Sequence, residues 1–157
     1  MNALLTQLEA EEKQRKVSYY GIELYPLEWD TIDALHYTDS PLFKEIHQAP
    51  WNEDAALSPF FTLRKINADF TKYDYTKIPP IDVVYFDAFA PDKQPEVWTE
   101  DLFKALFAHM SEGGILTTYC AKGVIRRMLQ QTGFKVERIP GPPGGKREIL
   151  RARKVTI

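Results

Sequence analysis

The residue best placed to do chemistry is Asp87, which directly follows the apolar segment Ile81–Phe86. Only Asp82 interrupts that segment, which is too short for a helix and predicts a strand buried on both faces, as in a parallel sheet. Open α/β sheets bind their ligands beyond the carboxyl ends of such strands. A carboxylate there can orient a hydroxyl or an amine of a ligand. The structural alternative is that Asp87 only begins the following loop.

Two further carboxylates stand at or just beyond the ends of predicted strands. Glu23 lies near the end of Val17–Leu24, and Asp69 follows Phe60–Ile66. A helix followed by a strand that ends in an acid is typical of the second half of a β-α-β nucleotide-binding unit, in which the carboxylate accepts hydrogen bonds from ribose hydroxyls. An acidic residue at a strand end is at least as common without a ligand, so the pattern alone leaves both interpretations open.

The segments that must position these carboxylates alternate between helical and strand-like patterns. Helices are predicted at 3–14, 27–37, 42–46, 99–110 and 122–132, strands at 17–24, 60–66, 81–86, 115–119, 134–139 and 146–154, and a loop at 49–59. The last two strands are joined by the loop P-G-P-P-G-G without a helix, which predicts an antiparallel hairpin. This order predicts an α/β fold with a mostly parallel sheet and an antiparallel strand near the C-terminus.

Composition places the chain among globular proteins. It has 157 residues, of which 44% are apolar and 13% aromatic, values that suit one domain with a sizeable core. No apolar run approaches the roughly 20 residues that span a bilayer, and residues 1–10 do not resemble a signal peptide. Cys120 is the single cysteine, and His36, His47 and His109 lack the spacing of metal ligands. We therefore expect a cytoplasmic protein without a membrane or metal partner.

Charge is distributed unevenly along the chain. Residues 1–119 carry 10 Lys and Arg against 20 Asp and Glu, whereas residues 120–157 carry 10 against 2, for a net charge of −2. A basic C-terminal segment indicates an anionic partner. A solvated basic face on an ordinary protein would give the same count.

Three segments carry a resemblance to a known family. They read F-D-A-F-A-P-D-K-Q-P-E-V-W (86–98), G-G-I-L-T-T-Y-C-A-K-G-V-I-R-R-M-L-Q-Q-T-G-F (113–134) and G-P-P-G-G-K-R-E-I-L (141–150). Together with the three strand-end acids, they resemble the MnmC-like methyltransferases, which modify the wobble uridine of certain tRNAs. The resemblance covers most of residues 1–150. It implies a Rossmann-like class I methyltransferase fold, S-adenosylmethionine as the cofactor and tRNA as the partner.

The resemblance also implies a role for each strand-end acid. Glu23 would bind the ribose hydroxyls of the cofactor, Asp69 would face the adenine amino group, and Asp87 would lie beside the methionine end and the reacting centre. Three more residues are assigned to the cofactor site: Asn2, Leu24 and Phe70.

The methyl acceptor implied by the resemblance is the aminomethyl group on the uridine. Because that amine is largely protonated at neutral pH, Asp87 is the catalytic candidate, either removing the proton or only orienting the amine. Phe89 and Pro91 would stack on the uracil ring, although core packing is an equal alternative for Phe89. The basic residues expected to contact tRNA phosphates are Lys122, Arg126, Arg127, Lys146 and Arg147.

The sequence departs from the family at its beginning. The family carries a strand and a loop of the G-x-G-T-G kind before the first helix, whereas Met1–Leu5 resembles the residues that follow that loop. The resemblance thus predicts that residues 1–157 form a single methyltransferase domain, the C-terminal portion of a longer natural domain. In the family the domain occurs alone or fused to a flavin-dependent oxidase, which makes such an oxidase a candidate fused or separate partner.

Two other functions remain open at this point. An enzyme of the same fold acting on a small amine, like the polyamine synthases, would also place an Asp near an amine, but the basic C-terminal segment argues against it. A non-catalytic binding module would keep the fold without the Gly-rich loop.

Overall fold

The computed structural model describes residues 2–24, 34, 40–145 and 148–155. The chain divides into two compact units, Met1–Tyr73 and Asp74–Ile157. The described elements of the first unit are α1 (Asn2–Lys13), β1 (Val17–Glu23), α2 (Pro41–Gln48), β2 (Asp54–Ser58) and β3 (Phe61–Asn67). Those of the second are β4 (Ile81–Tyr85), α3 (Glu100–His109), β5 (Met110–Thr118), α4 (Gly123–Thr132), β6 (Lys135–Pro140) and β7 (Glu148–Arg153). The helix predicted at 27–37 lies outside the described residues except for Ala34.

The first unit contains a three-stranded sheet in the order β1-β3-β2. β1 runs parallel to β3, in a register that pairs Val17 with Phe61 and Glu23 with Asn67. Both helices contribute to its apolar core, which comprises Leu4, Phe43, Ile46, Ala49, Phe61 and Leu63. Because Phe61 and Leu63 alternate along β3, they project from one face of the sheet onto these helices.

The loop predicted at 49–59 is wrong, since β2 (Asp54–Ser58) occupies its second half and pairs antiparallel with β3. Ala55 and Leu57 alternate along β2 and pack on the core of the first unit. The chain then reverses within two residues, where the amide of Phe60 donates to Oγ of Ser58 at 3.2 Å. Alternation over so few residues, next to Pro50 and Pro59, gives too weak a strand signal to outweigh the turn residues.

The second unit contains a four-stranded sheet in the order β4-β5-β7-β6. β4 and β5 are parallel, whereas β7 is antiparallel to both β5 and β6. The predicted antiparallel hairpin of the last two strands is therefore confirmed, and β7 lies inside the sheet rather than at its edge. With helices α3 and α4 between the strands and parallel pairs in each sheet, the α/β character of the fold is confirmed.

The burial predicted for the strand before Asp87 is wrong. β4 lies at the edge of its sheet, and the side chains of Val83 and Tyr85 are 49% and 46% exposed. The cause is that, among the described residues, only β5 pairs with β4. An apolar run shows that a strand can be buried, but the presence of a neighbour on each side decides whether it is.

Helix α3 begins as predicted and ends earlier than predicted. Thr99 is its N-cap, and Oγ1 of Thr99 accepts a hydrogen bond from the amide of Leu102 at 3.3 Å. The helix ends at His109, one residue before the predicted end at Met110, because Met110 already starts β5. Lys154 closes this end: its Nζ donates to the carbonyl oxygens of Phe107 at 2.7 Å and Met110 at 2.8 Å.

We expect Lys154→Met to lower the free energy of unfolding by about 1–3 kcal/mol, because it removes a charged donor from two carbonyl oxygens at a helix end. Urea unfolding followed by circular dichroism measures this. Lys104→Met is the matched control, since Lys104 is 60% exposed and only forms an ion pair with Glu100 at 3.6 Å. The control should cost no more than about 0.5 kcal/mol. Equal losses in the two variants would contradict the capping role of Lys154.

Candidate functional site

In the first unit, the carboxyl ends of β1 and β3 lie side by side. Their pairing ends at Glu23 and Asn67, and the amide of Ala68 donates to the carbonyl oxygen of Glu23 at 3.2 Å. The side-chain amide of Asn67, with Nδ2 directed at β1, donates to the carbonyl oxygens of Glu23 and Leu24, each at 3.2 Å. These bonds fix the two strand ends together, so Glu23 and the segment that contains Asp69 occupy one edge of the sheet.

Asp69 is held in a tight turn just beyond β3. Its Oδ1 accepts hydrogen bonds from Oγ1 of Thr71 at 2.6 Å and from the amide of Thr71 at 3.0 Å. These two donors, aided by the charge of Lys72, lower the pKa of Asp69 below its ordinary value. The side chain is therefore a fixed anion at neutral pH, with its second oxygen not used by Thr71. Phe70, the next residue, is half-buried.

This edge has the chemistry that a nucleoside requires. Two carboxylates offer acceptors for hydroxyl and amino groups, and Leu24 and Phe70 offer apolar surface beside them. The residues present thus fit the adenosine part of S-adenosylmethionine. Asn2, the remaining residue assigned there, is exposed in the first turn of α1, where its carbonyl oxygen accepts a hydrogen bond from Oγ1 of Thr6 at 2.8 Å.

In the second unit, Asp87 opens a loop whose base is buried. Phe86 is 5% exposed, its amide donates to the carbonyl oxygen of Thr117 at 2.9 Å, and its ring packs edge-on against Trp98 at 5.0 Å. Asp87 itself is exposed. The structure thus places the carboxylate directly after a strand of a parallel pair, as the sequence predicts.

Phe89 is exposed although it is a large aromatic residue. Its side chain is 73% exposed, which excludes core packing, the alternative that the sequence left open. Its backbone, in contrast, is bonded on both sides: the amide donates to Oε1 of Gln94 at 3.1 Å, and the carbonyl oxygen accepts from Nε1 of Trp98 at 2.7 Å. Pro91, the other predicted stacking residue, is half-buried.

Tyr119, which directly follows β5, bonds to this loop from outside and is a residue that sequence reasoning missed. Its hydroxyl donates to the carbonyl oxygen of Ala88 at 2.7 Å, across 31 residues of sequence. Burial raises the pKa of the Tyr119 phenol, and the charges of Cys120, Asp87 and Asp92 raise it further. The phenol is thus a stable hydrogen-bond donor over the neutral range. Only the presence of Tyr119 and Trp98 within the family-like segments could have pointed to them.

The predicted basic residues fall in two places. Lys122 is the N-cap of α4, Arg127 is exposed one turn later, and Arg126 is half-buried with an Nε that has no hydrogen-bond partner among the described residues. Lys146 and Arg147 lie outside the described residues, so their predicted contact with phosphates stays a prediction.

Ion pairs explain part of the C-terminal basic charge. Arg151 pairs with Glu137 at 2.9 Å and Arg138 with Glu148 at 3.9 Å, so both acids of residues 120–157 are used on β6 and β7. Lys122, Arg126 and Arg127 form no ion pair with the described part of the chain. The start of α4 therefore carries basic groups that no acid in the described ranges pairs with.

The described ranges contain neither a membrane-spanning helix nor a group of metal-binding side chains. Within 2–24, 40–145 and 148–155, no helix has the length and apolarity to cross a membrane. In the same ranges no three His, Cys, Asp or Glu side chains are grouped so as to hold a metal ion.

Among proteins of known name, the chain is similar to proteins from two bacteria, each called tRNA 5-methylaminomethyl-2-thiouridine biosynthesis bifunctional protein MnmC. The one from Nitrosospira multiformis is 29% identical over an alignment of 148 positions, which covers 86% of this chain and 23% of the relative. The one from Pseudomonas fluorescens is 45% identical over 71 residues, 45% of this chain and 11% of the relative. The chain thus spans less than a quarter of the length of these relatives.

Solved structures show the same fold. MnmC2 from Aquifex aeolicus superposes with a TM-score of 0.67 at 22% identity, over 94% of this chain and 46% of that one. A methyltransferase from Pyrococcus furiosus gives 0.53 at 16% identity, over 99% of this chain and 84% of that one. The predicted Rossmann-like methyltransferase fold is thereby confirmed. Residues 44–155 match the family described as S-adenosyl-L-methionine-dependent methyltransferase. Because this match spans more than half of the chain, the chain belongs to the S-adenosyl-L-methionine-dependent methyltransferases.

Proposed function

We propose that this methyltransferase acts on the aminomethyl group of the wobble uridine in tRNA. The observation that carries the proposal is the loop after β4, which exposes the carboxylate of Asp87 and, two residues later, the ring of Phe89 on a bonded backbone. A carboxylate beside an aromatic ring suits an amine attached to a flat base. The names of the two MnmC relatives support the same acceptor. Acting on tRNA, the protein would work in the cytoplasm.

Asp87 would act on the amine rather than on the base. An alkylamine is mostly an ammonium ion at neutral pH and has no lone pair with which to attack. An exposed carboxylate attracts the ammonium, orients it, and can accept its proton, which frees the nitrogen lone pair that then forms the new N–C bond. S-adenosylmethionine, when bound, supplies an electrophilic methyl group on a sulfonium. Asp87 would therefore contribute by placing and deprotonating the acceptor.

Phe89 would hold the uracil ring by stacking. Proteins recognise bases in RNA loops chiefly by unstacking them and placing them on aromatic side chains, and such stacking is worth about 1–3 kcal/mol per base. A ring that is 73% exposed can accept a base without displacing any packed side chain. Pro91, half-buried beyond it, would extend the apolar surface.

The cofactor roles follow from the chemistry of the strand ends in the first unit. Glu23 would accept hydrogen bonds from the ribose hydroxyls and Asp69 from the adenine amino group. The lesser contributors would be Asn2, Leu24 and Phe70.

The start of α4 would contact tRNA phosphates. The N-terminus of a helix attracts anions through its unpaired N–H groups, and no side chain caps these groups in α4. Lys122, Arg126 and Arg127 add positive charge at the same end. Lys146 and Arg147 would extend the contact.

We expect Thr71→Val to raise the pKa of Asp69 towards its ordinary value, because one of the donors that stabilise the anion is lost. Because the pKa of Asp69 is lower in the folded protein than in the unfolded chain, the ionised carboxylate adds to the free energy of unfolding above the pKa of the unfolded carboxyl, and this contribution is lost as pH falls. The free energies of unfolding of variant and wild type should therefore differ most at neutral pH. Titration of the carboxyl by NMR measures the shift. The affinity for S-adenosylmethionine should fall several-fold.

Thr76→Val is the matched control for this test. Asp74 and Thr76 form the same turn, with the amide of Thr76 donating to Oδ1 of Asp74 at 3.0 Å. This control should raise the pKa of Asp74 and leave the cofactor affinity unchanged. An equal loss of affinity in both variants would contradict the role of Asp69.

We expect Asp87→Asn to lower kcat for tRNA methylation about 100-fold at neutral pH, the usual size of a general-base contribution. The loss should shrink as pH rises, because solvent then deprotonates the amine in place of the carboxylate. Steady-state kinetics across a pH series measures this, with Asp82→Asn, an exposed acid on the same strand, as the control. Unchanged kcat at neutral pH would contradict the role of Asp87.

We expect the double variant Lys122→Ala, Arg127→Ala to weaken tRNA binding and to reduce the steepness of log affinity against log salt by about 1–2. The reason is that binding releases fewer counterions when fewer phosphate contacts form. Binding isotherms at several salt concentrations measure the slope. Arg15→Ala, Lys16→Ala removes the same charge from exposed positions in the first unit. The same slope as wild type in the Lys122, Arg127 variant would contradict a phosphate contact at α4 and favour a small-amine acceptor.

A further inference from the structure

The backbone around Phe89, in the loop after β4, is held by three side chains from later in the chain. Gln94 bonds the amide of Phe89 at 3.1 Å, Trp98 bonds its carbonyl oxygen at 2.7 Å, and Tyr119 bonds the carbonyl oxygen of Ala88 at 2.7 Å. Within the loop, the amides of Lys93 and Gln94 both donate to the carbonyl oxygen of Ala90, at 2.8 and 2.9 Å. Two consecutive peptide groups, the one that joins Ala88 to Phe89 and the one that joins Phe89 to Ala90, are thus bonded by side chains.

Two of the side chains that hold the loop, Trp98 and Tyr119, are themselves anchored by aromatic packing in the second unit. Trp98 is 5% exposed, and its ring lies edge-on to Phe86 at 5.0 Å and to the fully buried Phe103 at 6.4 Å. The ring of Tyr119 stands at 89° to that of Trp98, 6.4 Å away. Rotation of either ring would disturb packed neighbours, so the two hydrogen bonds to the loop have fixed directions.

This arrangement restrains the backbone at Phe89 while the side chain stays in solvent. Bonds to both the amide and the carbonyl oxygen limit φ and ψ of Phe89, so a bound base would not have to order the loop. Such pre-organisation matters most for an acceptor whose two ends must be placed at once. When a base stacks on Phe89, the position of the ring fixes the distance between the exocyclic amine and the Asp87 carboxylate. A free aliphatic amine needs to contact only the carboxylate.

We infer that Gln94, Trp98 and Tyr119 are positioning residues that fix the Phe89 ring relative to the Asp87 carboxylate and thereby select amines carried on a planar base over free aliphatic amines. This inference rests on the proposed function. The three residues touch neither the acceptor nor the cofactor and act through the loop backbone. Tyr119 suits this role because its hydroxyl remains a donor throughout the neutral range.

The test compares variants that keep or remove one hydrogen bond at a time in the full-length product of the gene. Gln94→Met removes the acceptor at nearly constant shape, and Gln94→Glu keeps it. Trp98→Phe and Tyr119→Phe each remove one donor and keep a ring. Trp51→Phe and Tyr20→Phe, both in the first unit, are the controls for loss of an indole and of a phenol hydroxyl.

Three kinds of measurement are made on each variant. Steady-state kinetics gives kcat and KM for tRNA and for spermidine, calorimetry gives the affinity for S-adenosylmethionine, and hydrogen exchange gives the exchange rate of the Phe89 amide. We expect Gln94→Met and Trp98→Phe to lower kcat for tRNA about 10- to 100-fold, as a misplacement of the reacting groups would. Cofactor affinity should stay within about two-fold, and any activity on spermidine should not fall. Phe89 exchange should accelerate in Gln94→Met and return to the wild-type rate in Gln94→Glu.

Two results would overturn the inference. One is an unchanged kcat for tRNA when Phe89 exchange has accelerated, since the order of the loop would then be irrelevant to transfer. The other is an unchanged exchange rate in Gln94→Met, since Gln94 would then not hold the loop. A wild-type protein that binds S-adenosylmethionine but transfers no methyl group to tRNA would refute the proposed function instead, and the exchange rates would still decide whether Gln94 fixes Phe89.

Discussion

The indole of Trp98 packs in the core of the second unit and forms a hydrogen bond to the exposed loop after β4. One face of its environment is aromatic, formed by Phe86 and Phe103, and its single polar atom donates to the carbonyl oxygen of Phe89 at 2.7 Å. A buried indole must find an acceptor for its N–H, and here the acceptor is the backbone of the loop that carries the candidate chemistry. Packing of the core therefore sets the geometry of Asp87 and Phe89.

Elements with strong local signals could be predicted from the sequence. Thr99 and the acids that follow it predict the start of helix α3. Helix α4 ends at Thr132 as predicted, before Gly133, whose φ of +125° favours glycine. β2 and the exposure of β4 could not be predicted. The first is a short strand beside prolines, and the second depends on which strands pair with β4, a tertiary fact that no local pattern records.

In the candidate site, too, some features follow from local sequence patterns and others depend on tertiary contacts. Glu23, Asp69 and Asp87 lie at or just beyond strand ends, which local sequence patterns predict, so their positions could be predicted without knowledge of the packing. The restraint on Phe89 does not, because it depends on contacts such as the one between Tyr119 and Ala88, 31 residues apart. The family resemblance predicts stacking for Phe89, but only the structure separates an exposed ring from a packed one.

The identity of the methyl acceptor tests the account most directly. The full-length gene product would be incubated with isotopically labelled S-adenosylmethionine, tRNA carrying 5-aminomethyl-2-thiouridine, and spermidine in one mixture, and the nucleosides and amines then resolved by mass spectrometry. The account predicts one labelled methyl group on the aminomethyl nitrogen of the wobble uridine and none on spermidine. Label on spermidine alone, or on another nucleoside, would contradict it.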